Sequence, residues 1–330
     1  MGGYVTFATT GISSRRRRVV TAMRAITYSR YGGADVLELT EQPTPKVGPD
    51  SVLVRVRAAS VNPVDWKVRA GYLDAVMDVT FPVVPGWDVA GVVERVGLDT
   101  PELQVGDEVY GYVRRDWVQG GTFAEYVAAP VRTLARKPAS LSFEEAAAVP
   151  LAGLTAYQTI LRAGVRDGQT VLVHAAAGGV GAFAVQIARS LGARVIGTAS
   201  TRNHEYLRAL GAEPVEYGDG LVDRVRALAP DGIDVVLDFG GDDLVVTSKA
   251  LLADGGTVAS IVDKAARDEL GGHYVWVRPD TADLDALSAL IDAGTVKVDV
   301  AEIFELADAA AAHEASQTGH VRGKVVVRVA

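Results

Sequence analysis

The sequence predicts an α/β protein, with a doubly wound parallel sheet carrying helices on both faces and strand-rich segments on either side of it in the chain. Three observations carry this. Residues 170–189 read as strand, glycine turn and helix, and residues 150–281 alternate strand with helix almost without interruption. The chain is also strand-rich before residue 150 and again at its end. Val171, Leu172 and Val173 have the length and composition of a buried strand, and beyond the turn Val180, Ala184, Ile187, Ala188 and Leu191 share one helical face. Glycines let a backbone approach a pyrophosphate, and a helix N-terminus offers unpaired N–H groups and a positive dipole end. A tight turn in an unrelated α/β unit would use the same residues. The second strand that follows, Arg194 to Ser200, favours the dinucleotide reading.

A chain of 330 residues suits two domains. No apolar run is long enough to cross a bilayer, so no membrane partner is expected. The net charge of −8 argues against nucleic acid as a partner. The chain has no cysteine, which removes disulfides, thiolate nucleophiles and cysteine-ligated zinc. Its five histidines show no metal-ligand spacing, so no metal is expected, and the location is read as cytoplasmic. Residues 1–22 differ from the rest through the run Arg15 to Arg18 and read as an unstructured leader or as the product of an upstream start codon. A targeting peptide or a nucleic-acid contact is the alternative for that run.

From Met23 the chain begins a strand and turn. Val52 to Ala59 alternates as a half-exposed strand should, Val83 to Gly97 reads as turn then strand, and Gly106 to Tyr110 as a hairpin arm. Gly120 to Val127 continues in the same style. Asn62 to Arg69 reads as a short helix: Asn caps, Pro suits the first position, and Asp65 is favourable in the first turn. Asp65 and Arg69, four apart, are expected to pair on its surface. That reading accounts for Asn62, Pro63 and Asp65 but not for Lys67 or Tyr72. Strands are expected at 170–175, 194–199, 213–217, 234–239, 256–262 and 273–277, with helices at 201–210 and 220–229 among them. A helix follows Asp280, another lies near Asp308 to Ala315, and Gly323 to Val327 returns to β structure, completing the first domain.

An NAD site usually places an acid about 20 residues beyond the glycine turn. Here Gly197 to His204 contains none before Glu205. Hydroxyls and a guanidinium in that place suit a 2′-phosphate, so the cofactor is expected to be NADP(H). Solvated helix residues remain an equal reading of Arg202 and His204.

Gly168-Gln169, Leu172, Ala176 to Gly179, Gly181, Gln186 and Arg189, with Asn62 to Lys67, Phe81 to Gly91 and Gly323 to Val326, resemble the medium-chain dehydrogenase/reductase superfamily. The likeness is to its zinc-less quinone oxidoreductase (zeta-crystallin-like) branch, above all the alkenal and enone reductases, and it runs from Met23 to Ala330. It implies a Rossmann domain, 150–281, inserted into a GroES-like, partly open β-barrel catalytic domain formed by 23–149 and 282–330. It also implies a cleft between them and a homodimer through the last Rossmann strand, near Tyr274 to Val277. Zinc-dependent relatives carry a histidine ligand where Trp87 stands and a cysteine near Asn62.

By position, the resemblance assigns Ala177, Gly178, Gly179, Val180, Gly181 and Lys324 to the cofactor, the glycine turn facing its pyrophosphate. Ser200, Arg202, His204 and Tyr217 surround the 2′-phosphate, with relatives often carrying lysine in place of His204. Thr155, Phe239, Gly240, Ser260 and Ile261 border the nicotinamide. Asn62, Asp65, Lys67 and Tyr72 line the substrate cleft and are the candidate catalytic residues. A helix-start acid and a packed aromatic remain open readings of Asp65 and Tyr72. The expected reaction is conjugate reduction of an enone or alkenal, with Lys67 the first choice to stabilise charge on the carbonyl oxygen. Quinone reduction is the alternative, and a non-enzymatic NADPH-binding protein the alternative of a different class.

Overall fold

The structure, a computed structural model, describes residues 22–240, 243–319 and 321–330. The expected leader therefore lies almost wholly outside the described residues. Six parallel strands form the central sheet, in the order Glu213–Val215, Arg194–Thr198, Thr170–His174, Ile233–Asp238, Leu252–Ser260 and His273–Tyr274. The first strand in sequence lies inside the order, and the chain winds outward from it in both directions. The strand order therefore reverses beside Thr170–His174, where a crevice opens at the carboxyl ends of the strands.

Alternation along each strand sorts the core into two layers. Val171, Val173, Val195, Val235, Leu237 and Ala259 pack with the helices Pro150–Ala163, Gly179–Ser190 and Thr281–Asp292. Leu172, Ile196, Val236 and Val258 face the other way, onto Leu221, Val225, Leu244, Leu251 and Ala266. The last expected strand is shorter than residues 273–277: only His273 and Tyr274 pair, parallel to Ala259 and Ser260.

A second sheet is built mainly from the flanking segments, in the order Val300–Glu305, Lys324–Arg328, Ser51–Val61, Asp88–Val96, Glu108–Tyr112 and Leu134–Arg136. Lys324–Arg328 runs antiparallel to Ser51–Val61, Val326 opposite Ser60, so the chain end does return to the sheet that residues 51–136 begin. The strand at Val52 to Ala59 is not half exposed as its alternation suggested. It pairs with Asp88–Val96 on one side and with Tyr126–Pro130 and Lys324–Arg328 on the other. Val52, Val54 and Val56 point into the barrel core with Val89, Val93 and Phe123, while Leu53 and Ala58 on the opposite face are covered as well. Only Arg55 and Arg57 reach partly to solvent. Among the described residues, no helix is long and apolar enough to cross a membrane.

Candidate active site

The glycine turn follows the strand Thr170–His174 directly. Ala175 takes φ +53, a left-handed conformation uncommon for a residue with a Cβ, and its N–H is held by Thr198 Oγ1 at 3.1 Å. Gly178 is the N-cap of the helix Gly179–Ser190, and no side chain caps it. The first-turn N–H groups therefore face outward without helical partners. The three glycines differ in purpose. A Cβ on Gly181 would lie 2.3 Å from Ala175 O and 2.6 Å from Ala176 Cα, so Gly181 is what lets the helix close onto the strand. A Cβ on Gly178 would meet nothing nearer than Ala175 O at 3.3 Å, leaving room for a ligand there, and Gly179 lies against the Lys324 side chain.

This turn forms one wall of a cavity of about 710 Å³. Thr155, Phe239, Gly240 and Ile261 continue that wall, and Asn62, Lys67, Tyr72, Trp87, Tyr112 and Lys324 face it. The bare helix N-terminus, the open space over Gly178 and the size of the cavity fit a dinucleotide. Ser260 is buried instead of lining the cavity. Its hydroxyl donates to Asp238 Oδ2 at 2.6 Å and accepts from the Val262 and Asp263 N–H groups, while Asp238 Oδ1 accepts from Gly240 N–H. Ser260 and Asp238 thus shape the two loops that carry Phe239, Gly240 and Ile261. His174, beside Asp238 in register, is buried and held below the usual imidazole range by that burial, with the Asp238 charge opposing.

Ser200, Arg202, His204, Tyr217 and Ala177 lie outside the cavity lining. Ala177 is buried within the turn. The other four sit together beyond the carboxyl end of Arg194–Thr198, where Ala199 N–H donates to Val215 O and brings the Tyr217 segment alongside. Arg202 and Tyr217 are exposed, and His204 is half-buried with Nε2 3.4 Å from Ala199 O. The structure adds an acid that no spacing from the turn indicated: Glu216 reaches the same edge from the neighbouring strand and accepts from Thr201 Oγ1 at 3.0 Å.

Opposite the turn, Asn62 joins a buried charge cluster. Its amide Nδ2 donates to Asp88 Oδ2 at 2.8 Å, and its Oδ1 accepts from Lys324 Nζ. Asp88 also accepts from Ser60 Oγ at 2.7 Å and from the Leu151 N–H at 2.8 Å. Three donors favour the carboxylate, as does Lys324, against a burial that pushes the Asp88 acid upward. Burial likewise pushes the Lys324 ammonium down, with Asp88 and Asp65 opposing.

Two expectations for the helix Pro63–Arg69 are overturned. Asp65 and Arg69 do not pair on a surface: both are buried. Asp65 accepts from the Asn62 N–H at 2.7 Å, whereas Arg69 donates to Gly32 O and Gln317 Oε1 and contacts His313 Nδ1. Asp65 is consequently turned into the protein, absent from the cleft lining, and its helix-start role stands. Tyr72 does line the cavity, 71% exposed, with its ring edge-on to Trp66. Lys67 lines it too, with Nζ 5.5 Å from the Trp66 ring centroid.

Burial pushes the Asp65 carboxyl up to about 7, with Asp88 adding and the Asn62 N–H opposing. An acid raised on folding binds more protons folded than unfolded, so stability falls as pH rises from about 4 to about 7. Asp65→Asn keeps an acceptor for the Asn62 N–H without the titration. Its denaturant stability should gain on the wild type across that window, by on the order of 2–4 kcal/mol. Equal slopes for the two proteins would show that Asp65 does not carry this proton.

Among the described residues, no group of three His, Cys, Asp or Glu side chains is placed to hold a metal ion. Residues 48–139 match the family model described as alcohol dehydrogenase GroES-like domain, and residues 210–327 match one described as zinc-binding dehydrogenase. The chain is 36% identical to a 2-methylene-furan-3-one reductase of Solanum lycopersicum, over 94% of this chain and 80% of that protein. It is 38% identical to an NADPH-dependent alkenal/one oxidoreductase, chloroplastic, of Arabidopsis thaliana, over 92% and 79% respectively. A quinone oxidoreductase structure from Coxiella burnetii superposes with a TM-score of 0.84 at 35% identity, covering 94% of this chain and all of that one.

Proposed function

Since the chain belongs to the zinc-less quinone and enone reductase branch of the medium-chain dehydrogenase/reductase superfamily, we propose that it uses NADPH to reduce the C=C bond of α,β-unsaturated carbonyl compounds. The observation that carries this is one cavity with the glycine turn on one wall and Asn62, Lys67 and Tyr72 on the other. NADPH supplies the hydride when bound. The chain's own part is to hold the enone on the Asn62, Lys67 and Tyr72 side, against the nicotinamide that Thr155 and Phe239 border, and to meet the negative charge that grows on its carbonyl oxygen. Lys67 is the side chain we assign to that charge, with Tyr72 and Asn62 as neighbouring donors. The reaction is proposed to need no zinc: tryptophan and asparagine stand where zinc-dependent relatives carry or adjoin ligands, and the chain has no cysteine.

We assign residues 150–281 as the NADP-binding domain and 23–149 with 282–330 as the catalytic domain, in a cytoplasmic homodimer joined near Tyr274 to Val277. The half-exposed Trp276 supports that edge as the contact.

The test is oxidation of NADPH and of NADH by the purified protein, with a small enone and with a quinone. NADPH-specific turnover of the enone is the expected result. Turnover of quinone alone would move the substrate to that class, which the likeness to the Coxiella burnetii enzyme favours. Arg202→Ala should raise KM for NADPH about tenfold, a loss of about 1.4 kcal/mol, and leave KM for NADH unchanged. Equal changes for both cofactors would remove Arg202 from the 2′-phosphate. Lys67→Ala should lower kcat with an enone by about tenfold or more, and an unchanged kcat would exclude its role.

A further inference from the structure

A second cavity, of about 480 Å³, opens elsewhere, between the segments Arg114 to Trp117 and Ala128 to Thr133, with Lys46 and Pro279 also at its walls. Four cations line it, Lys46, Arg114, Arg115 and Arg132, against one lining carboxylate, Asp116. That balance runs against a chain whose net charge is −8. The carboxylates in reach do little to neutralise it. The Arg114 side chain is only 14% exposed, but its partner Asp116, 3.5 Å away, is 95% exposed. Arg132 meets Asp50 at 3.4 Å with both side chains in solvent.

Arg114 is anchored from behind by its hydrogen bond to the buried Tyr112 hydroxyl, which fixes where its guanidinium stands at the cavity wall. Arg115 is fixed from two sides: it donates to Ala128 O at 2.6 Å, and its guanidinium lies 5.6 Å from the centroid of the Trp117 ring. Paired guanidinium forks suit the planar geometry of carboxylate and phosphate oxygens. The volume is many times the roughly 30 Å³ that one water occupies, so an organic body fits as well as its charged end.

We propose that this cavity is a second ligand site, separate from the reduction site, which binds a small phosphate- or carboxylate-bearing organic anion. Arg114 and Arg115 take the charged group, and the indole of Trp117 offers a flat apolar wall. Nothing in this assignment depends on which acceptor the enzyme reduces.

The test is calorimetric titration of the protein saturated with NADP⁺, so that the dinucleotide's own phosphate contacts are filled. Pyrophosphate and citrate are the two probes, in phosphate-free buffer at low ionic strength. Saturable one-to-one binding of either is expected, weakened by added salt and by about tenfold or more in Arg115→Gln and in Arg114→Gln. Tighter pyrophosphate would identify a phosphate ligand, and tighter citrate a carboxylate. Should Arg114→Gln fail to fold, Arg115→Gln and the more exposed Arg132→Gln carry the test. Absence of saturable binding for both probes would overturn the proposal, as would binding that these variants leave unchanged.

Discussion

Lys324→Met should lower stability by about 3–5 kcal/mol near pH 8. Lys324 is 5% exposed, and its ammonium donates to Val61 O at 3.2 Å and to Asn62 Oδ1 and faces the Asp88 and Asp65 carboxyls. Methionine preserves most of the aliphatic stem beside Gly179 but leaves two buried acids with no cation. Because protonation relieves those acids, the loss should shrink as pH is lowered toward 5. Adding Asp88→Asn should then restore part of it, since contacting charges are not additive. Denaturant titration of the four proteins of that cycle, at both pH values, is the measurement. A loss independent of pH and additive with Asp88→Asn would reduce Lys324 to a packing residue. Asn62 is held by this same cluster, so Lys324→Met should also disturb the cavity wall and raise KM for the enone.

Gly181→Ala and Gly178→Ala should separate two uses of one turn. At Gly181 the added methyl meets backbone atoms of Ala175 and Ala176 at 2.3–2.8 Å, which cannot move without shifting the helix from the strand. A loss of about 1–3 kcal/mol of stability is expected, as for overpacking generally, together with weaker NADPH binding. At Gly178 the nearest protein atom is Ala175 O at 3.3 Å, so the fold should tolerate alanine. The methyl then occupies the space assigned to the pyrophosphate, and NADPH binding should weaken by about tenfold or more with little change in Tm. Thermal denaturation beside NADPH titration reads both effects. A Gly178→Ala protein that binds NADPH normally would move the pyrophosphate away from this turn.

Much of this was legible in the chain because it is local. The glycine turn, the helix that follows Asp280 and the alternation of strand and helix through the parallel-sheet region all rest on short-range pattern. What escaped rests on distant partners. Asp65 and Arg69 stand at surface-pair spacing, yet Gly32, His313 and Gln317, remote in sequence, decide where Arg69 points. The burial of Val52 to Ala59 depends on Asp88–Val96 and Tyr126–Pro130 and, at Ala58 and Ala59, on Lys324–Arg328, more than 260 residues onward. Asp88 was readable only as part of a motif. Its standing as the acceptor for Ser60, Asn62 and Leu151 needed three segments brought together. Glu216 likewise gave no signal, because it reaches the Arg202 edge from a neighbouring strand.

The central claim is that the hydride goes to the β-carbon of a conjugated carbonyl compound held in the cavity of Asn62, Lys67 and Tyr72. Reduction of a small enone with NADPH deuterated at nicotinamide C4, on the face the enzyme uses, tests it most directly, read by NMR of the product. A saturated ketone with deuterium on its β-carbon is the expected result. An allylic alcohol with deuterium on the carbinol carbon would contradict the account, because the hydride would then have gone to the C=O group.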